Sequence, residues 1–207
     1  MISKTEFVQV IAPLIVKEGK KRGYHVFSPV IAQAVIESNY GQSGLAKYNN
    51  FFGLKCGSHW KGGSVNLKTK EEYSVGTLTT IRDNFRTYSG VREGVEGYYD
   101  FISTKRYANL KTAMTPLQYC QNLKADGYAT SSKYVNTLMN CIEKLNLTRY
   151  DGVTEQIVSA YDKGVWEIVE EVIQGKWGNG MDRKMRLTAA GYDYSMIQRY
   201  VNARLRG

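Results

Sequence analysis

Glu37 ends an apolar run, Val30-Ile31-Ala32-Gln33-Ala34-Val35-Ile36, in which Gln33 is the one polar residue. Ser28-Pro29 opens the run as an N-cap followed by a residue pre-set for a first helical turn, and Gly41 supplies the stop. The pattern predicts one short helix, too continuously apolar for a surface stripe and therefore buried on most sides. A carboxylate at its end is costly to ionise: desolvation favours the neutral acid, and the negative end of the helix dipole acts the same way. A neutral acid in a half-apolar setting suits general-acid cleavage of a glycosidic bond; the plain alternative is a helix-end carboxylate pointing into water. Such chemistry commonly uses a second carboxylate across the cleft. Glu71 and Glu72 are the candidates, because residues 56 to 89 turn to glycines, hydroxyls and alternating apolar positions, the pattern of a small β-rich lobe with hairpins. Only one of two strand neighbours can face a cleft.

Other reactive types give less. Cys56, Cys120 and Cys141 are an odd, widely spaced set that suits neither a disulfide framework nor a metal site. With His25 and His59 the only histidines, no metal and no organic cofactor is expected. A nucleophilic pair of Cys56 with His59 lacks an orienting third group.

Several helices must hold these groups in place. Residues 3 to 22 read as an amphipathic helix with a Ser3/Glu6 capping box and with Phe7, Val10, Ile11, Leu14 and Ile15 on one face. Residues 91 to 103, 115 to 125 and 134 to 145 repeat the helical pattern. Beyond Thr148-Arg149-Tyr150-Asp151-Gly152-Val153, a natural boundary, three shorter helices close on Gly175, Gly191 and the C-terminus.

The run Ala32-Gln33-Ala34-Val35-Ile36-Glu37-Ser38-Asn39-Tyr40-Gly41-Gln42-Ser43-Gly44-Leu45-Ala46, followed by Asn49-Asn50-Phe51-Phe52-Gly53-Leu54-Lys55, resembles the signature of glycoside hydrolase family 73, bacterial cell-wall glucosaminidases found in autolysins and phage lysins. The resemblance implies a lysozyme-like α+β fold, a mainly helical lobe with a small β-lobe, in which Glu37 donates the proton. Aligning the Glu-Tyr pair, with Phe85-Arg86-Thr87-Tyr88 downstream, points to Glu72 as the second group, the doubled Glu leaves Glu71 in play, and the substrate's 2-acetamido group is a third option. Gly127-Tyr128-Ala129-Thr130-Ser131-Ser132-Lys133-Tyr134 resembles a second family signature, which puts Tyr128 beside the acid. Tyrosine offers a flat face and a polar tip for sugars. Tyr40, Asn50, Phe52 and Tyr88, all near these motifs, are expected substrate contacts.

The C-terminal stretch from Val172 through Trp177 and Asp182-Arg183-Lys184 to Tyr194 resembles the CW_7 cell-wall-binding repeat, which implies a three-helix unit that binds peptidoglycan muropeptide. Trp177, Arg183 and Asp193 are the contacts expected on chemical grounds, an aromatic face for sugar and charged groups for a peptide stem. The expected division is 1–150, catalytic, and 151–207, wall-binding. Charge divides similarly: residues 1–150 carry 20 Lys+Arg against 11 Asp+Glu, and residues 151–207 carry 8 against 8.

A net charge of +9 favours a polyanionic partner. Bacterial peptidoglycan with its anionic wall polymers fits; no nucleic-acid motif is present, and no apolar run is long enough to insert in a membrane. The N-terminal stretch does not read as a secretory signal, being broken by Glu6, Pro13 and the charges after Val16. The expectation is a monomer released from a host cytoplasm or carried on a virion. The rivals are an N-acetylmuramidase, a lytic transglycosylase, or a wall-binding virion protein without activity.

Overall fold

The computed structural model describes residues 4–74, 77–151, 165–189, 192 and 194–206. Helix α1 (Lys4–Lys21) carries Pro13 inside it. Phe7, Ile11, Leu14 and Ile15 enter the main core as the periodicity predicts, and Val8, Ala12 and Val16 are buried as well. Val10 belongs to a different cluster, made with the C-terminal helices, so α1 is covered on two sides. The Ser3/Glu6 capping box lies outside the described residues.

Helix α2 (Ser28–Glu37) runs through the middle of this core. Val30, Ile31, Ala32, Gln33 and Ala34 are wholly buried and Val35 nearly so; each large apolar side chain contributes about 1.5–3 kcal/mol on burial. The cap differs from the local reading. Ser28 is the first helical residue, and the orphan donors of the N-terminus are met by Asp151. Its carboxylate accepts from the Phe27 and Ser28 amides and from Ser28 Oγ, each at 2.7 Å.

The β-lobe is a single antiparallel hairpin, β1 (Ser64–Ser74) with β2 (Thr77–Arg86), in the register Ser64 to Arg86 through Glu72 to Leu78. The other described residues between 56 and 89 are turn and irregular chain. The hairpin is tied back by the Arg86 amide donating to Leu54 O at 2.9 Å and the Cys56 amide to Asn84 O at 2.9 Å. Helices α3 (Val91–Ile102), α4 (Pro116–Ala125) and α5 (Tyr134–Lys144) complete the lobe, with α4 capped by Thr115 Oγ1 accepting from the Gln118 amide.

Helices α6 (Val165–Ile173), α7 (Gly180–Ala189) and α8 (Tyr194–Arg206) gather a second cluster around Ile168, Val169, Val172, Leu187, Ile197 and Tyr200. Trp166 packs against both clusters. Arg92 pairs with Glu167 at 3.1 Å, and Arg204 donates to Asn49 Oδ1 at 3.3 Å. The chain is thus a lysozyme-like α+β lobe with a three-helix C-terminal unit docked on α1 and α3. Among the described residues no helix is long and apolar enough to cross a membrane.

Candidate active site

A cleft of about 860 Å³ separates the helical lobe from the hairpin, and Glu37 lines it. The side chain is half-buried. Burial pushes its carboxyl from an ordinary 4.5 up to about 7. Close to neutral pH a large share of the molecules therefore keep the proton, as a donor to an ether oxygen must. Ser38, wholly buried, ties the helix end to the next turn: its hydroxyl donates to Ala34 O and accepts from the Gly41 amide at 2.7 Å. Asn39, Tyr40 and Gly41 are then three consecutive left-handed residues, φ 47°, 56° and 75°, which swing the chain sharply off the end of α2. At Gly41 a β-carbon would meet the Phe7 ring at 2.8 Å, so both conformation and space call for glycine.

The Asn49–Leu54 turn forms the facing wall. At Gly53 (φ 65°) a β-carbon would stand 3.6 Å from Glu37 Oε2, which shows how near the backbone passes to the acid. Phe52, buried, lines the cleft and stacks on Tyr98 with ring centroids 4.1 Å apart. Asn50 is 1% exposed, and its amide is spent on Leu54 O, Arg86 O and the Leu54 N–H, each at 2.9 Å. It braces the turn against β2 and is not among the residues that line the cleft.

Tyr128 and Tyr134 form the floor, stacked at 6.2 Å and 20°. Burial pushes both phenols well above their usual range, and the nearby Glu37 charge adds to it, so both stay neutral donors. Tyr128 donates to Phe52 O at 3.2 Å, so its proton holds the wall. Tyr134 accepts from Gln33 Nε2 at 2.9 Å, and Gln33 in turn accepts from Tyr98. Gln33, the odd polar residue of the apolar run, is explained by these two bonds, which satisfy both ends of its amide.

Glu71 and Glu72 stand near the closed end of the hairpin, opposite Thr79 and Leu78; their side chains lie outside the described residues, as does Asp193. The cleft does include Leu67, Lys68 and Thr69 of the same strand. Two expected contacts are elsewhere. Tyr40 lines a neighbouring groove, and Tyr88 packs edge-on to Trp60 and against Gly97, away from the cleft lining. In the C-terminal unit, Arg183 donates to Gly178 O, Gln198 Oε1 and Asn179 Oδ1, and Trp177 donates to Glu171 Oε2 at 2.9 Å. These bonds staple the small bundle to itself. Arg86 is a cleft residue that sequence reasoning missed, held between the Trp60 ring at 4.6 Å and the Phe101 ring at 5.4 Å. The Phe-Arg-x-Tyr element contained the signal. Among the described residues no three His, Cys, Asp or Glu side chains gather as a metal site would require.

A family model described as mannosyl-glycoprotein endo-β-N-acetylglucosaminidase matches residues 12–147, well over half of the chain. The chain belongs to this glucosaminidase family. A CW_7 repeat follows at residues 167–205. The exo-glucosaminidase LytG of Bacillus subtilis (strain 168) is 33% identical over 177 residues, 81% of this chain and 61% of LytG. The peptidoglycan hydrolase FlgJ of Escherichia coli (strain K12) is 30% identical over 142 residues, 66% of this chain and 44% of FlgJ. The glucosaminidase-family chain thus spans less than two thirds of either relative. Among solved structures, a peptidoglycan hydrolase mutant from Sphingomonas sp. A1 superimposes with a TM-score of 0.62 at 27% identity, over 70% of this chain and 97% of that one. In this glucosaminidase-family lobe the matched region contains α2, the hairpin and both cleft tyrosines.

Proposed function

We propose that the chain is a peptidoglycan hydrolase that cleaves the β-1,4 bond after N-acetylglucosamine, with Glu37 as general acid. The observation that carries this reading is the half-buried carboxyl of Glu37, pushed up to about 7 inside a cleft walled by tyrosines, phenylalanine and a stacked arginine. Glu37 gives its proton to the glycosidic oxygen as the C1–O bond breaks, and the bond's electron pair leaves with that oxygen. Positive charge develops at C1 and the ring oxygen. A water then adds to C1 and loses its proton to a base, and we assign the base or the electrostatic support to one carboxylate of the Glu71/Glu72 pair, on the strand that forms the opposite wall. Tyr134, with Tyr128 stacked on it, orients substrate or water by a neutral hydroxyl. No metal or organic cofactor enters these steps. The names of LytG and FlgJ support the substrate class, and the CW_7 repeat supports wall attachment. In this reading residues 1–150 cut and residues 151–207 hold the wall.

The test is digestion of purified sacculi by the full chain and by Glu37→Gln, followed by reduction and mass spectrometry of the product ends. Reduced N-acetylglucosamine ends from the wild type alone support the assignment. Reduced or anhydro-muramic ends would replace it by a muramidase or transglycosylase, and binding without release would leave a wall-binding protein.

A further inference from the structure

The Asn49–Leu54 turn has two faces. Its front, with Phe52, Gly53 and Leu54, lines the cleft that holds Glu37. Its back, with Asn49 and Phe51, lines a groove of about 1300 Å³ between the catalytic lobe and α8, and Ser43 and Gly44 border both hollows. Arg204 of α8 reaches this back face with its guanidinium. Nη1 donates to Lys47 O at 3.5 Å and Nη2 to Asn49 Oδ1 at 3.3 Å, while Nε is held 3.4 Å from Glu170 of α6. A second ion pair between the two units, Arg92 with Glu167 at 3.1 Å, joins α3 to α6.

Asn49 is the junction between the two faces. It is 2% exposed and left-handed at φ 58°, and its side-chain nitrogen donates to Tyr88 O at 2.9 Å. Its carbonyl packs so closely on α3 that a β-carbon at Gly94 would collide with it. A buried amide with one end on Tyr88 and the other on Arg204 is fixed in direction, and losing either bond leaves a desolvated polar group that must move to find water. Four residues on, the backbone at Gly53 passes the acid, where a β-carbon would stand 3.6 Å from Glu37 Oε2. Phe51 and Phe52 are buried in between, so the turn shifts as a packed unit.

We propose that Arg204 is a positioning residue for the glycosidase cleft: from the C-terminal unit it holds the back of the Asn49–Leu54 turn and so keeps that wall closed over Glu37. The C-terminal unit then supports the reaction itself as well as attachment to the wall. The kinetic part of this assignment rests on the hydrolase reading above; the support of the turn does not. The consequence for Glu37 is electrostatic. A turn drawn back from the acid admits water, solvation favours the carboxylate, and the proton is lost at lower pH.

The test titrates the Glu37 carboxyl by carbon-13 NMR in the full chain, in Arg204→Ala, in Arg204→Lys and in Arg92→Ala, and measures kcat and KM of each on sacculi. The wild type should titrate at about 7. Arg204→Ala should titrate about one pH unit lower, with the alkaline midpoint of kcat/KM moved by the same amount. Its kcat should fall about tenfold, while binding to sacculi stays at the wild-type level. Arg204→Lys, which can replace only part of the guanidinium fork, should fall in between, and Arg92→Ala should match the wild type. A Glu37 midpoint unmoved in both Arg204 variants would overturn the assignment. So would an equal shift in Arg92→Ala, which would make the effect one of docking in general, or a loss confined to KM and sacculus binding, which would return Arg204 to wall attachment. Should the alanine variant fail to fold, a wild-type midpoint in Arg204→Lys overturns the assignment alone. A chain that releases no product while its carboxyl shifts as stated would refute the hydrolase reading and leave the support of the turn standing.

Discussion

Replacing Glu37 by glutamine removes a charge while keeping shape, and the structure gives its effect on stability a sign and a size. The carboxyl titrates at about 7 in the folded chain against an ordinary 4.5. Below pH 4.5 it is protonated in both folded and unfolded chains and contributes nothing. Between the two values the unfolded chain has lost the proton and the folded chain still holds it. Wild-type stability therefore falls as pH rises across this window, by about 1.4 kcal/mol per pH unit. Over the shift of about 2.5 units, from 4.5 to about 7, the upper limit is about 3.4 kcal/mol. One side of the carboxyl opens to cleft water, so the expected gain of Glu37→Gln over the wild type is about 2 kcal/mol at pH 8.5. Urea unfolding of both proteins at pH 4, 5.5, 7 and 8.5 measures it. The difference should be small at pH 4, grow through the window and level off above pH 7. A difference independent of pH, or a wild type that gains on the variant with rising pH, would refute the claim that burial dominates at this acid.

The same geometry sets three further outcomes. Asp151→Ala removes the acceptor of three bonds at the start of α2 and should cost about 2 kcal/mol, lowering the melting temperature by about 4–8 °C in calorimetry. Gly41→Ala combines left-handed strain with the contact on Phe7 and should cost about 1–3 kcal/mol in urea unfolding, with a raised KM as the loop between cleft and groove shifts. Glu71→Gln and Glu72→Gln, compared on sacculi, should differ sharply, one losing at least about 10²-fold in kcat and the other little, because strand neighbours face opposite ways; equal small losses would hand the second role to the substrate's acetamido group.

How much could be read in the sequence depended on how far apart the cooperating residues lie. Helix α2 was legible because its apolar run is contiguous, and α1 because its period is. The cap of α2 was not, since Asp151 lies 123 residues from Ser28 and only tertiary contact brings them together. Asn50 carries the same residue type whether it binds a sugar or braces a turn; its burial decides for the brace. Gln33 is a blemish in an apolar helix until Tyr98 and Tyr134 are found at both ends of its amide. With 16 tyrosines in the chain, position near a motif separated cleft residues poorly. Tyr128 lines the cleft, Tyr40 and Tyr88 do not, and Tyr134, which the sequence offers only as the end of a motif, does. Arg183 and Trp177 have chemistry suited to a peptide and a sugar, but the bundle spends those donors on itself. The groove on α8 involves two units, so no pattern within either one announced it.

The central claim is that Glu37 is the general acid because burial keeps its proton near neutral pH. The most direct measurement is a carbon-13 NMR titration of the Glu37 side-chain carboxyl, assigned by its loss in Glu37→Gln and set beside the pH dependence of kcat/KM on sacculi. The carboxyl should titrate at about 7, and activity should fall on the alkaline side with the same midpoint. A carboxyl titrating near 4.5 while activity persists to higher pH would contradict it.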